Sequence, residues 1–151
     1  MLVRFAELEP ILRDLLSEQR YAVLGTKGAA RISLNLMALT VLDDLRTVIL
    51  ATERATRKYT NLRSNPWVSL LVDNRSNQAA DTQAAMALTI DGLAEEVTGA
   101  EREHLAHLFV ARHPQLASFA HSSTCALFRL RVERYELVRG LYDVREVRLV
   151  L

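Results

Sequence analysis

The sequence predicts a mainly β fold: one antiparallel β-barrel with helices covering its ends. Three observations predict it. About seven segments carry the alternating or short continuous apolar patterns of strands. Most are joined by short turns marked by Gly or Asp, which suit hairpins rather than crossovers. Three or four short helical segments fall before and between the strands. With 151 residues the chain is read as a single domain, large enough to bury a core without covalent staples.

Residues 5–19 place Phe5, Leu8, Ile11, Leu12, Leu15 and Leu16 at helical spacing. Pro10 is best tolerated in a first turn, so the regular helix is expected to begin near Glu9. Residues 20–27 form an apolar strand, and Lys27-Gly28 supplies a turn. The run 31-RISLNLMAL-39 then alternates Ile32, Leu34 and Leu36 with Arg31, Ser33, Asn35 and Met37. Period two makes this a strand with two different faces, and the pair a β-hairpin. Asp43-Asp44 turns the chain into a third strand, 46–52. A short helix over 55–64 ends at Asn65-Pro66, because the residue before proline is pushed out of helical geometry. The strand 67–73 follows, then a polar loop, 74–83. A long strand over 84–97 has Gly92 as a bulge. Thr98 and Glu101 fit a capping box for a helix reaching about Arg112, with Leu105, Leu108 and Phe109 inward. Pro114 punctuates, and another helical turn reaches about Ala120. Two strands, 125–138 and roughly 141–151, close the chain around Gly140.

Half the residues are hydrophobic and a quarter charged, the composition of an ordinary globular protein. The formal net charge of +1 excludes a general nucleic-acid binder and leaves room for one local anion site. Cys125 is the only cysteine, so no intramolecular disulfide forms and a reducing compartment suffices. No apolar run reaches the ~18 residues of a membrane span. MLVRFAELEP has acids where a secretion signal would be apolar. The chain is expected to be cytoplasmic.

The stretch 51-ATERATRKYTNLRSNP-66 gathers Arg54, Arg57, Lys58 and Arg63 among hydroxyls, with Glu53 the one acid. A helix entered directly from a strand offers unpaired N–H groups and a partial positive charge. Thr52, Thr56, Arg57 and Lys58 stand at that entrance and suit a phosphate. The competing reading is a solvated basic helix whose arginines pair locally.

The order of these features resembles the pyridoxamine 5′-phosphate oxidase-like family, the FMN-binding split β-barrels. The pieces that carry the resemblance are 23-VLGTKGAARISLNLMAL-39, 51-AT-52, 57-RK-58, 61-NL-62, 65-NP-66, 67-WVSLLV-72 and 88-LTIDGLAEEV-97. The segment 108-LFVARHP-114 is similar to one in the haem-utilisation branch. The resemblance runs over roughly residues 7–138. It implies a homodimer with two FMN molecules at the subunit interface. It implies that Arg31, Ile32, Ser33, Leu34 and Asn35 lie on the strand beside the flavin ring and phosphate. It places Ala51 and Thr52 at the end of the next strand, and Thr56, Arg57 and Lys58 in the phosphate cradle. Asn74, Arg75 and Gln78 are secondary candidates for completing a partner's pocket. The activity implied is that of a flavin-dependent oxidoreductase passing hydride through FMN. The alternatives on the same fold are a haem-binding or haem-storage protein, a non-catalytic flavin carrier or sensor, and a deazaflavin-dependent reductase. The chain departs from true pyridoxamine phosphate oxidases in its ending, 141-LYDVREVRLVL-151, which lacks their Trp-containing strand and terminal Pro. It departs from the haem-degrading branch in having no His after His121. Neither vitamin B6 oxidation nor haem degradation is therefore expected.

Other constellations carry less. His104 and His107 share a helix face but lack a third ligand and the HExxH pattern; with His113 they read as exposed helix polarity rather than metal ligands. His121 beside 122-SST-124 lacks a nucleophile-elbow glycine pattern. Cys125 reads as a small buried residue. The sequence 24-LGTKG-28 lies in a hairpin and lacks the phosphate-loop spacing. No acid–base residue stands out.

Overall fold

A computed structural model of the chain describes residues 1–151. The elements run α1 (Phe5–Glu18), β1 (Tyr21–Lys27), β2 (Ile32–Ala38), β3 (Thr40–Val41), β4 (Thr47–Glu53) and α2 (Arg57–Ser64). Then come β5 (Trp67–Asp73), α3 (Asp81–Ala84), β6 (Met86–Glu96), α4 (Gly99–Arg112), a 3₁₀ turn (Pro114–Leu116), α5 (Ala117–His121), β7 (Cys125–Arg139) and β8 (Asp143–Arg148). The strands form one antiparallel sheet in the order β2-β1-β5-β6-β7-β4-β3, with β8 paired to β7.

β7 organises the wall. Its 15 residues pair with β6 along one edge. The other edge pairs with β4 beside residues 125–131 and with β8 beside 134–139. At ~3.3 Å per residue such a strand spans roughly 50 Å, long enough for two neighbours end to end. The wall is split where one neighbour gives way to the other. The result is an antiparallel split barrel with flanking helices, as the sequence predicts.

β4 shows why a strand can lose its alternation. Val48 and Leu50 pack with Leu8, Leu12 and Leu15 of α1 in the main core. Ile49 and Ala51 pack with Leu105 and Phe109 of α4 and Ala120 of α5 in a second core. A strand buried on both faces reads as an unbroken apolar run. Each fully buried Leu, Ile or Phe contributes about 1.5–3 kcal/mol. In β6 the register shifts between Asp91 and Gly92. A Cβ at Gly92 would meet the Arg131 carbonyl oxygen at 2.2 Å, so only glycine fits this bulge.

Several local expectations are corrected. α1 begins at Phe5, with Pro10 inside it. The missing N–H of Pro10 leaves the carbonyl of Ala6, an exposed residue, without its helical donor. The buried stripe Leu8, Leu12, Leu15 and Leu16 outweighs that loss. The capping box at Thr98 does not form: its side chain makes no cap hydrogen bond, and Glu101 pairs with Arg129 instead. The polar loop contains the short helix α3. Asp81 organises it by accepting the amides of Ser76, Asn77 and Gln78 at 2.7–3.2 Å. His113 is fully buried, not exposed; its Nε2 lies 2.7 Å from the Leu39 carbonyl oxygen. Cys125 is buried as expected, and burial pushes its thiol above the usual range.

Candidate functional site

The site begins with a hairpin and a helix locked together. Asn61 of α2 is buried, and its Nδ2 donates to Thr26 Oγ1 at 3.0 Å and Ser33 Oγ at 3.4 Å. A Cβ at Gly28, in the hairpin turn, would fall 2.9 Å from Asn61 Oδ1, so glycine lets the turn close on the helix. Thr56 is the N-cap of α2. Its hydroxyl donates to the Glu53 carbonyl at 2.7 Å and accepts from the Tyr59 amide at 3.3 Å. That satisfies the third amide of the helix. The amides of Arg57 and Lys58 are the open pair left at a helix start.

Between this helix start and β2 lies a cleft of about 540 Å³, lined by Arg31, Ile32, Ser33, Leu34, Asn35, Thr56, Arg57 and Lys58. Eight of the ten residues singled out by sequence therefore meet in one place. Ala51 and Thr52 do not line it. Thr52 is 1 % exposed, and its hydroxyl sits 3.3 Å from that of Thr56, behind the wall. It braces the cap instead of facing the cleft. Of the secondary candidates, Arg75 pairs with Asp73 at 3.0 Å on the far side of the hairpin.

The four cations of the basic stretch divide into two pairs. Arg54 and Arg63 both reach Glu96 at the end of β6, at 2.8 and 3.3 Å, and Tyr59 Oη donates to the same carboxylate at 2.8 Å. These two follow the local-pairing reading. Arg57, Lys58 and Arg31 make no ion pair, and all three line the cleft. Cations in a first helical turn oppose the macrodipole by roughly 0.3–1 kcal/mol each. α2 has no acid there to offset them. A local rule broken at a cleft marks a site whose residues serve something other than stability.

Glu96 was not legible in the sequence, since its partners lie 33–42 residues away. Burial opposes its charge, but the hydrogen bonds from Arg54 and Tyr59 outweigh burial and hold the carboxyl below the usual range. A depressed carboxyl adds stability above its unfolded pKa, about 4.3, and loses it as pH falls through the folded value. The melting temperature should therefore drop as pH is lowered from about 5 into the acid range. Glu96→Gln should flatten that drop while lowering the neutral-pH melting temperature. Parallel melts of both proteins from pH 7 to pH 3 check this, and superimposable pH profiles would contradict it.

The histidines do not converge. His104 and His107 stay on the exposed side of α4, with the rings of His107 and His121 6.1 Å apart, edge to face. No His, Cys, Met or Tyr lines the cleft.

Comparison with known proteins places this geometry in a family. The pyridoxamine 5′-phosphate oxidase family pattern matches residues 8–139. The chain belongs to that family. Among solved structures it is similar to the heme binding protein from Mycobacterium smegmatis, at 18 % identity and a TM-score of 0.82, over 97 % of this chain and 59 % of that one. It is also similar to HutZ, the heme storage protein from Vibrio cholerae, at 21 % identity and 0.69, over 87 % and 94 %. A third is an FAD-binding protein from Mesorhizobium loti, at 15 % identity and 0.68, over 85 % and 90 %. The chain thus spans well under two thirds of the mycobacterial protein's length. At these identities the likeness is one of fold. No curated protein matches the chain in sequence. None of the helices of this family member is long and apolar enough to cross a membrane.

Proposed function

We propose that this member of the family is an FMN-binding flavoprotein, a flavin-dependent oxidoreductase that works as a homodimer. One observation carries the reading: Arg31, Arg57 and Lys58 surround an open helix start with no carboxylate to neutralise them. Two open amides and three unpaired cations suit a phosphate monoester. Arg57 and Lys58 would hold the phosphate at the start of α2. Thr56 would keep that start in shape through its cap. The Ile32–Leu34 backbone would line the flavin ring, and Arg31 would hold negative charge near it. When bound, FMN supplies hydride and electron transfer, and the chain supplies position and electrostatics.

The homodimer rests on a second observation. β2 turns Ile32, Leu34 and Leu36 to solvent at 72, 70 and 72 % exposure. Across the sheet Leu36 pairs with Val23, which pairs with Leu71. Tyr21 and Trp67 extend the same apolar face. A continuous exposed apolar face marks a binding surface. It borders the cleft through Ile32 and Leu34, so a second copy seated there would shield both.

Haem is the second reading, favoured by the heme-binding protein and HutZ among the structural relatives. The lining of the cleft supports flavin over haem, because it contains no side chain that ligates iron. The test is reconstitution of purified, ligand-free protein with FMN and, separately, with hemin. The expected result is saturable quenching of FMN fluorescence at one flavin per chain, and a bound flavin that a reduced nicotinamide or dithionite bleaches. A sharp Soret band at one hemin per chain, without FMN binding, would replace this reading with haem. Flavin that binds but cannot be reduced would favour a carrier.

A further inference from the structure

A second cleft, about 570 Å³, lies between α1, the segment 40–45 and α4, and shares no residue with the cofactor cleft. Its floor is apolar: Leu16, Val41, Leu42, Leu45 and Leu108. Its wall is held in shape. Tyr135 Oη donates to the Leu45 carbonyl at 2.8 Å, and Asp44 accepts the amides of Arg46 and Thr47 at 2.8 and 3.1 Å. Packing alone does not explain two of its polar groups. Thr40 is 5 % exposed, and its hydroxyl has no hydrogen-bond partner. Buried hydroxyls are nearly always paired. A turn of about 120° about χ1 carries the Thr hydroxyl from one staggered position to the next, so the hydroxyl can swing to a ligand in the cleft. Arg112 is the second group. Its Nη2 is fixed by the carbonyls of Ser17 and Gln19 at 2.7 and 3.2 Å, yet no carboxylate neutralises it. Arg13, on the opposite rim, is already engaged by Glu9 at 2.8 Å.

We infer that this cleft binds a small aliphatic monocarboxylic acid, its chain on the leucine floor and its carboxylate held by Arg112 and the Thr40 hydroxyl. The volume is in the usual range of ligand pockets, roughly 300–1,000 Å³. The ligand supplies the counter-charge that Arg112 lacks and the hydrogen bond that Thr40 lacks. This site is independent of the flavin reading.

Decanoate is the probe, titrated calorimetrically into the full chain. One saturable site per chain is expected. Thr40→Val keeps the shape and removes the hydroxyl. Without ligand it should melt roughly 2–4 °C higher, because an unpaired buried group is gone. Its decanoate affinity should fall about tenfold. Leu108→Trp fills the cleft and should abolish binding while leaving the circular dichroism spectrum unchanged. Arg112→Gln also alters the end of α1, so decanol serves as its control. The substitution should weaken decanoate about tenfold or more and leave decanol binding unchanged. Absence of saturation by decanoate overturns the inference. So does equal affinity in the wild type, Thr40→Val and Leu108→Trp.

Discussion

Replacing Arg57 and Lys58 together by Ala is expected to give folded, colourless protein. Each charge-assisted hydrogen bond to a phosphate contributes about 1.5–3 kcal/mol net. Losing two weakens FMN binding roughly 10²- to 10⁴-fold, at ~1.4 kcal/mol per decade. The fold is not expected to suffer, because neither side chain has an ion-pair partner to leave stranded. Alanine is the better helix former and removes two cations from the wrong end of the dipole. The double variant should therefore melt at or slightly above the wild-type temperature. The contrasting pair is Arg54→Ala with Arg63→Ala. That change strips Glu96, a mostly buried carboxylate, of both cations, so it should lower the melting temperature and spare FMN affinity. Fluorescence titration and thermal melts of the four proteins separate the two roles. Full FMN occupancy in the Arg57, Lys58 variant would remove the phosphate cradle.

Leu36→Glu is expected to turn a dimer into a monomer. Leu36 lies on β2, the edge strand of the sheet, directly opposite Val23 on the exposed face, and does not line the cofactor cleft. In the isolated chain it is 72 % exposed, so a glutamate there leaves the monomer's fold and circular dichroism intact. In a two-fold dimer the substitution enters the interface twice. Two carboxylates forced into an apolar seam, one per copy, oppose association by several kcal/mol. The dimer dissociation constant should rise on the order of a thousandfold or more. Sedimentation of the wild type should give twice the mass of the 17.0 kDa chain, and the variant the mass of one. If the partner completes the pocket, FMN affinity falls in the variant although every residue of the cleft is unchanged. A wild type that sediments as a monomer at tens of micromolar would sink the dimer.

Most of the frame was legible because its signals are short-range. The hairpin of β1 and β2 showed in its period-two pattern and its turn at Gly28, and the end of α2 in Asn65-Pro66. The bulge showed at Gly92, where the structure leaves no room for a Cβ. Arg31 to Asn35 entered only through the family resemblance, and the structure brings that run and Thr56 to Lys58 to one cleft. The misreadings share a cause. Pro10 and Thr98 were judged by local rules that packing and a distant arginine override. His113 looked like helix polarity because its acceptor, the Leu39 carbonyl, is 74 residues away.

The succession of strands along the chain, a short helix within 55–64 and the presence of a basic cluster were decided by the sequence itself. Periodicity, turn residues and capping act over a handful of positions, and a reader of the chain sees them directly. Which cations are free was decided only in three dimensions. Arg54 and Arg63 are quenched by Glu96, brought from the far end of β6, while Arg57 and Lys58 are left open. The face that Ile32, Leu34 and Leu36 present was decided the same way. Alternation says that a strand has two faces, and only the position of the sheet against the core says which of them meets solvent.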